Sequence, residues 1–333
     1  MSLESRIQRA WAHRGLLSAL LLPLSAVYCG VVRRRRRKFL DRPPLPLPLP
    51  VVVVGNVTVG GTGKTPMTIA LCDWLRAQGW QPGVVSRGYG GRTGLGPLSV
   101  SHDSRPEEVG DEPLLIALRA RVPVWVCTNR AAAVHALYAD DSCDIVVSDD
   151  GLQHYRMPRA IEIAMLDGQR RLGNGRCLPA GPLREPAERL EQVDFVVVTG
   201  GMREAGEYAM ALRLDSAWSL ADPTIRQPLS AFGQVRVHAV AGIGNPERFF
   251  SALERTGLLV VRHPFPDHHR YGSADLEFAD GVPLLMTEKD AVKCREFAPP
   301  GCWAVPVSAE LPAAFTAALA ERLRTLPHGQ ETA

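Results

Sequence analysis

Short unbroken runs of β-branched and aliphatic residues alternate along this chain with longer stretches whose apolar positions recur every three to four residues. The runs read as buried strands and the longer stretches as amphipathic helices. Val51-Val52-Val53-Val54 is the clearest run; a glycine-rich turn follows it, then a helix with Met67, Ile69, Ala70, Leu71 and Trp74 on its apolar positions. Residues 83–86, 122–127, 144–148, 161–166 and 195–198 predict further strands, with helices over 114–120 and 131–138. Strands that alternate with helices in this way imply a mostly parallel sheet. Beyond about Gly206 the pattern restarts, with strands at 235–240, 258–261, 283–286 and 303–307 and helices at 246–255 and 310–323. The expected architecture is α/β: a larger domain over 51–205, a smaller second α/β domain over 206–326, and a disordered tail over 327–333.

The N-terminus breaks this pattern. Residues 15–32 run eighteen long without a charge, and Arg33-Arg34-Arg35-Arg36-Arg37-Lys38 follows at once. As a helix the run is about 27 Å long against a hydrocarbon core of about 30 Å, and Pro23 is placed to kink it, so spanning a bilayer and lying flat on it both stay open. A cleaved signal peptide fits less well, because six cations just after the run resist translocation and Tyr28 spoils a cleavage site. A buried packing helix beside a solvated charge run is the plainer alternative. We expect residues 1–40 to be a membrane-anchoring helix and polybasic run held by anionic lipid on the cytoplasmic side. Pro43, Pro44, Pro46, Pro48 and Pro50 then make 41–50 an extended, semi-rigid linker.

Composition adds bounds. The chain has 333 residues, enough for about two domains, and a net charge of only +3, which gives no global reason to expect nucleic acid. Its seven cysteines show no C-x-x-C spacing, so neither a disulfide framework nor a cysteine zinc site is encoded.

The turn after the first strand carries chemistry. Gly60, Gly61, Thr62 and Gly63 lead into Lys64-Thr65 at the start of a helix, with Pro66 just inside it. Glycines there let backbone N–H groups converge on a phosphate, Lys64 reaches the outer phosphates, and the Thr65 hydroxyl is a ligand for Mg²⁺. The usual pattern G-x-x-x-x-G-K-[ST] has glycine where this chain has Thr58, so the loop is a variant. The strand over 144–148 ends on Asp149-Asp150, where a phosphate-loop enzyme keeps its second metal-binding element.

Three further segments hold groups suited to phosphoryl transfer. Gly110-Asp111-Glu112-Pro113 puts two carboxylates before an apolar helix; they read either as a cap or as a base and a metal ligand. Phe265-Pro266-Asp267-His268-His269-Arg270-Tyr271 offers adjacent histidines, poorly spaced for zinc but suited to a base or its orienter. Arg87-Gly88-Tyr89-Gly90, Gln153, His154 and Arg184 lie in loops where α/β sheets place their sites. Thr287-Glu288-Lys289-Asp290 reads as a cap or a contact.

Taken together, these segments resemble the tetraacyldisaccharide 4′-kinase family, the lipid A 4′-kinases of Gram-negative bacteria. The match runs from about residue 50 to residue 293, and Thr58 is the family's own form of the loop. The resemblance implies ATP and Mg²⁺, with transfer of the γ-phosphoryl to the 4′-hydroxyl of a tetraacylated disaccharide 1-phosphate at the inner face of the inner membrane. It implies Gly60, Gly61, Thr62, Gly63, Lys64, Thr65 and Arg87 for the nucleotide, and Thr65, Glu112, Asp149 and Asp150 for the metal. Asp111 would be the base, supported by His268 or its neighbour His269; Tyr89, Gln153, His154 and Arg184 are candidate substrate or phosphate contacts. The expected partners are the lipid substrate and the membrane, with the chain a monomer. Two other readings of the residues stay open: a membrane-attached GTPase switch, which lacks its N-K-x-D element here, and a soluble metabolite kinase, which has no use for residues 15–38.

Overall fold

The computed structural model describes residues 11–92, 94, 96–141, 143–233, 235–278 and 280–326. The expected tail over 327–333 and the first ten residues of the N-terminal segment lie outside them. In chain order the elements are α1 (Leu16–Leu20), α2 (Leu22–Asp41), β1 (Val51–Gly55), α3 (Lys64–Ala77), β2 (Pro82–Ser86), β3 (Leu98–Ser99), α4 (Pro106–Val109), α5 (Asp111–Ala120), β4 (Val124–Val126), α6 (Arg130–Asp140), β5 (Ile145–Asp149), β6 (Ile161–Asp167), β7 (Phe195–Thr199) and β8 (Tyr208–Arg213). There follow β9 (Ser216–Ser219), β10 (Arg226–Pro228), β11 (Arg236–Ala241), α7 (Pro246–Glu254), β12 (Leu259–Pro264), β13 (Leu284–Thr287), α8 (Glu288–Cys294), β14 (Cys302–Val305), β15 (Ser308–Glu310) and α9 (Ala313–Arg324).

Among the described residues the strands form a nine-stranded sheet, ordered β15-β8-β7-β6-β1-β5-β2-β4-β3, and a six-stranded sheet, ordered β10-β9-β14-β13-β11-β12. β1 lies between β5 and β6, parallel to both, with Val54 opposite Asp149 and Ile163. All five of its residues are buried, and each valine contributes roughly 1.5–3 kcal/mol relative to exposure. The chain leaves β1, runs through α3 and returns at β2 on the far side of β5. That placement opens a crevice beyond the strand ends, beside β1, where α/β sheets bind ligands.

The expected boundary near residue 206 needs correction. β8 pairs in parallel with β7, and β15 pairs with β8, so both belong to the first sheet. α9 packs there too, its Phe315 ring meeting those of Phe195 and Tyr208 edge-on at 5.3 and 5.5 Å. The second sheet therefore draws on residues 216–305, an excursion after which the chain comes back to the first.

The N-terminal apolar run is two helices, broken at Leu21, with Pro23 in the first turn of α2 where its missing N–H costs little. α2 carries the basic run as helix to Asp41. No helix among the described residues is long and apolar enough to cross a membrane, which removes the spanning reading for them. The serines of α1 and α2 and Tyr28 face the protein: Ser18 donates to the Ala180 carbonyl, Ser25 to that of Cys177, and Tyr28 to that of Arg184. Leu16, Leu20, Leu24, Val27 and Val31 point outward, Leu16 at 86% exposure.

Candidate active site

The phosphate loop is held by its own side chains and by a neighbouring loop. Gly63 takes a left-handed φ of 85°, which frees the first N–H groups of α3 to face the cleft. Buried Asn56 donates from Nδ2 to the Gly60 carbonyl at 3.3 Å and accepts from Lys64 Nζ at 3.4 Å. Thr58 makes an antiparallel bridge to Leu183, so the position that the common pattern reserves for glycine is a strand-like contact here and not a tight turn. Gly60 to Thr65 line a cleft of ≈ 1250 Å³, together with Tyr89, Glu112, Asp150, Arg184, His268 and Lys289.

The two aspartates after β5 have different surroundings. Asp149 is buried and accepts from the Thr68 hydroxyl at 3.2 Å; burial, with the charges of Glu112 and Asp150, pushes its carboxyl up to about 7. Asp150 takes a left-handed φ of 49° and faces Lys64 at 3.6 Å and Arg184 at 3.1 Å. Burial opposes its ionisation, but the charges on Lys64, Arg184 and Arg130 outweigh that and draw it down to about 2. Gln153 donates to the Asn56 carbonyl at 3.0 Å and to Glu185 at 2.7 Å, which ties the phosphate loop to the 177–185 loop. His154 lies among Arg130, Arg159, Arg35 and Arg156; burial first and those charges second lower it to about 3. It is not among the residues lining the cleft, and neither are Gln153, Asp149 or Arg87. Arg87 is exposed after β2.

The second sheet supplies the other wall. Gly110, at φ 91°, lets the chain pass so close to the 88–91 loop that a Cβ would lie 2.6 Å from the Tyr89 carbonyl oxygen. Asp111 then opens α5; its Oδ1 accepts from the Glu112 backbone N–H at 3.0 Å, and its Oδ2 meets Nδ1 of His268 at 3.1 Å. Burial works to raise the Asp111 carboxyl, but the His268 hydrogen bond and the charge on Lys289 hold it below its ordinary value. The same hydrogen bond raises His268. Of the adjacent histidines, His268 reaches Asp111, while His269 turns to Asp275 at 3.1 Å. The Tyr89 ring leans on His268, their centroids 5.1 Å apart.

Three further residues lie at the cleft: Lys289, whose segment reads in the sequence as a cap or a contact, and Arg170 and Arg248, which carry no distinct signal there. Lys289 meets Glu112 at 3.0 Å and Asp267 at 3.3 Å. Arg170 donates to the Gly61 carbonyl at 2.7 Å, and Arg248 approaches Asp167 at 3.5 Å. Arginines and aspartates of this kind are common in surface loops, and only the chain's return to the cleft makes them neighbours of the phosphate loop.

The sequence profile of the LpxK family, tetraacyldisaccharide-1-P 4'-kinase, matches residues 17–324. The chain belongs to this family. It is 50% identical over 320 residues to the tetraacyldisaccharide 4'-kinase of Nitrosococcus oceani, spanning 94% of this chain and 93% of that protein. The tetraacyldisaccharide 4'-kinase of Stenotrophomonas maltophilia is 52% identical over 327 residues, 95% of this chain and 94% of the relative. The crystal structure of LpxK from Aquifex aeolicus in complex with ATP superimposes with a TM-score of 0.77 at 28% identity, covering 93% of this chain and 99% of that one. The family match takes in both sheets, the phosphate loop and the Asp111–His268 pair of this LpxK family member.

Proposed function

We propose that the protein transfers the γ-phosphoryl group of ATP to the 4′-hydroxyl of a tetraacyldisaccharide 1-phosphate, forming the 4′-phosphate of lipid A. The observation that carries this reading is the meeting of Asp111 with His268 at a cleft whose floor is the phosphate loop. The test is transfer of label from γ-labelled ATP to an acylated disaccharide 1-phosphate by purified protein in detergent. No labelled lipid under any detergent condition would rule the reading out.

The backbone N–H groups of residues 60–65 and the start of α3 bind the phosphates, and Lys64 neutralises charge as it develops on the transferred group. Asp111, kept ionised by its neighbours, accepts the proton of the sugar hydroxyl, and His268 fixes the carboxylate's direction. The donors facing the cleft suit Mg²⁺, which takes few protein oxygens and completes its shell with phosphates and water: the Thr65 hydroxyl and the Glu112 and Asp150 carboxylates line one cavity. Asp149 is turned to the Thr68 hydroxyl and supports this set as the chain neighbour of Asp150. Bound there, Mg²⁺ would neutralise charge on the phosphates.

Membrane attachment is part of the proposal. α1 and α2 turn their serines and Tyr28 inward and their leucines and valines outward, the reverse of a helix packed for water. With the basic run at its end, such a surface suits a helix lying in the interface of the cytoplasmic face of the inner membrane. One chain provides phosphate loop, base and base partner, so the proposed site needs no second copy to be complete.

A further inference from the structure

Lys289 opens the first turn of α8, behind the Thr287 cap, and its side chain is 14% exposed. Its ammonium reaches two elements at once: Glu112 Oε1 at 3.0 Å on α5, and Asp267 Oδ1 at 3.3 Å in the loop after β12. Those residues are the chain neighbours of Asp111 and His268. Asp111 Oδ2 itself is 3.9 Å away. Asp267 Oδ1 also accepts from the His268 backbone N–H at 3.1 Å. That contact matters because His268 holds a left-handed φ of 58°, which side-chain-bearing residues rarely adopt unless their surroundings fix it. The base of Lys289 is fixed as well: Asp290 accepts from the Gly242 N–H at 2.9 Å and from the Thr287 hydroxyl at 2.6 Å.

We propose that Lys289 is a positioning residue for phosphoryl transfer, holding Glu112 and Asp267 in one grip so that Asp111 and His268 meet in register across the cleft. This rests on the kinase reading of the site. Exposed ion pairs contribute little, but this ammonium is largely buried, faces three carboxylates and, beside the Arg119–Glu288 pair, ties α5 of the larger sheet to α8 and the loop after β12 of the smaller one.

The test uses the full-length protein with Lys289→Met and Lys289→Arg, each also in a His268→Ala background. Lys289→Met should lower kcat by about 30-fold with KM for ATP changed less than about threefold, and Lys289→Arg should recover most of the loss. In the His268→Ala background the Lys289→Met loss should shrink to below about threefold, since there is no pair left to align. In the free protein, amides over 265–271 should exchange about tenfold faster in Lys289→Met. Asp267→Asn, which keeps the shape of the loop, should reproduce the pattern should Lys289→Met fold poorly. An equal loss in both backgrounds, a wild-type kcat or unchanged exchange in that loop would overturn the proposal. The exchange measurement needs no lipid, so its failure counts against Lys289, whereas a wild-type protein unable to phosphorylate the disaccharide counts against the kinase reading.

Discussion

Asp111, first residue of a helix on the larger sheet, and His268, in a loop of the smaller one, stand 157 positions apart and share a hydrogen bond of 3.1 Å. Asp111 uses its other carboxylate oxygen to accept from the Glu112 N–H at 3.0 Å, and the histidine's backbone holds a left-handed φ of 58° at the contact. Asp111→Ala and His268→Ala should each lower kcat by about 10²–10⁴-fold with little change in KM for ATP. The double variant should lose far less than the product of the two. Steady-state kinetics on the three proteins decides it; multiplicative losses would mean two independent residues.

Lys64→Ala should reduce turnover by about 10²–10³-fold, because a charge aimed at the transferred phosphoryl group is removed. The fold should survive, since among the described residues the ammonium's hydrogen-bond and ion-pair partners are Asn56 at 3.4 Å and Asp150 at 3.6 Å, both at the cleft. Activity together with a thermal melt separates the two effects, and near-normal turnover would refute the loop's assignment.

The outward leucines of α1 and α2 give a membrane prediction. Replacing Leu20 and Leu24, 78% and 59% exposed, by glutamate should release the protein from anionic vesicles while leaving its melting temperature unchanged. Residual binding should weaken as salt rises, because the basic run binds through screened charge. Equal co-sedimentation of variant and wild type would exclude this surface as the attachment site.

The central strands were legible because strands buried on both faces read as continuous apolar runs: β1, β5, β6 and β7 all appear in the sequence. β8 and β15 were not. β15 is the edge strand and β8 lies between it and β7; both are of mixed burial, and nothing local in Tyr208–Arg213 or Ser308–Glu310 tells which sheet they join. α9 was visible as a helix but not as part of the first sheet's core, since packing on Phe195 and Tyr208 is a matter of chain return and not of periodicity. Phe315→Ala should therefore destabilise the larger unit by about 3–5 kcal/mol, measured by denaturant unfolding. Within the site, the loop and the acidic strand end could be read from residue type and spacing. The pairing of Asp111 with His268 came from family resemblance, and the grip of Lys289 from the folded chain alone.

The Asp111–His268 contact also sets a pH dependence of stability. His268 is raised above its ordinary value of 6.5, so its contribution is fully present below that value and is lost as pH rises through the higher folded value. Asp111 is lowered from 3.8, so its contribution is present above that value and is lost only as pH falls through the lower folded one. Both contributions are complete between these two ordinary values, from about pH 4 to 6.5. His268→Gln keeps a side chain of similar reach but cannot take up the proton. The melting temperature of wild type should exceed that of His268→Gln most at about pH 5.5, and the gap should narrow steadily toward about pH 8.5 as the imidazolium is lost. Calorimetry of the two proteins across this range measures the gap directly. A gap that stays constant or widens with rising pH would mean that the histidine holds Asp111 without charge, as a neutral donor.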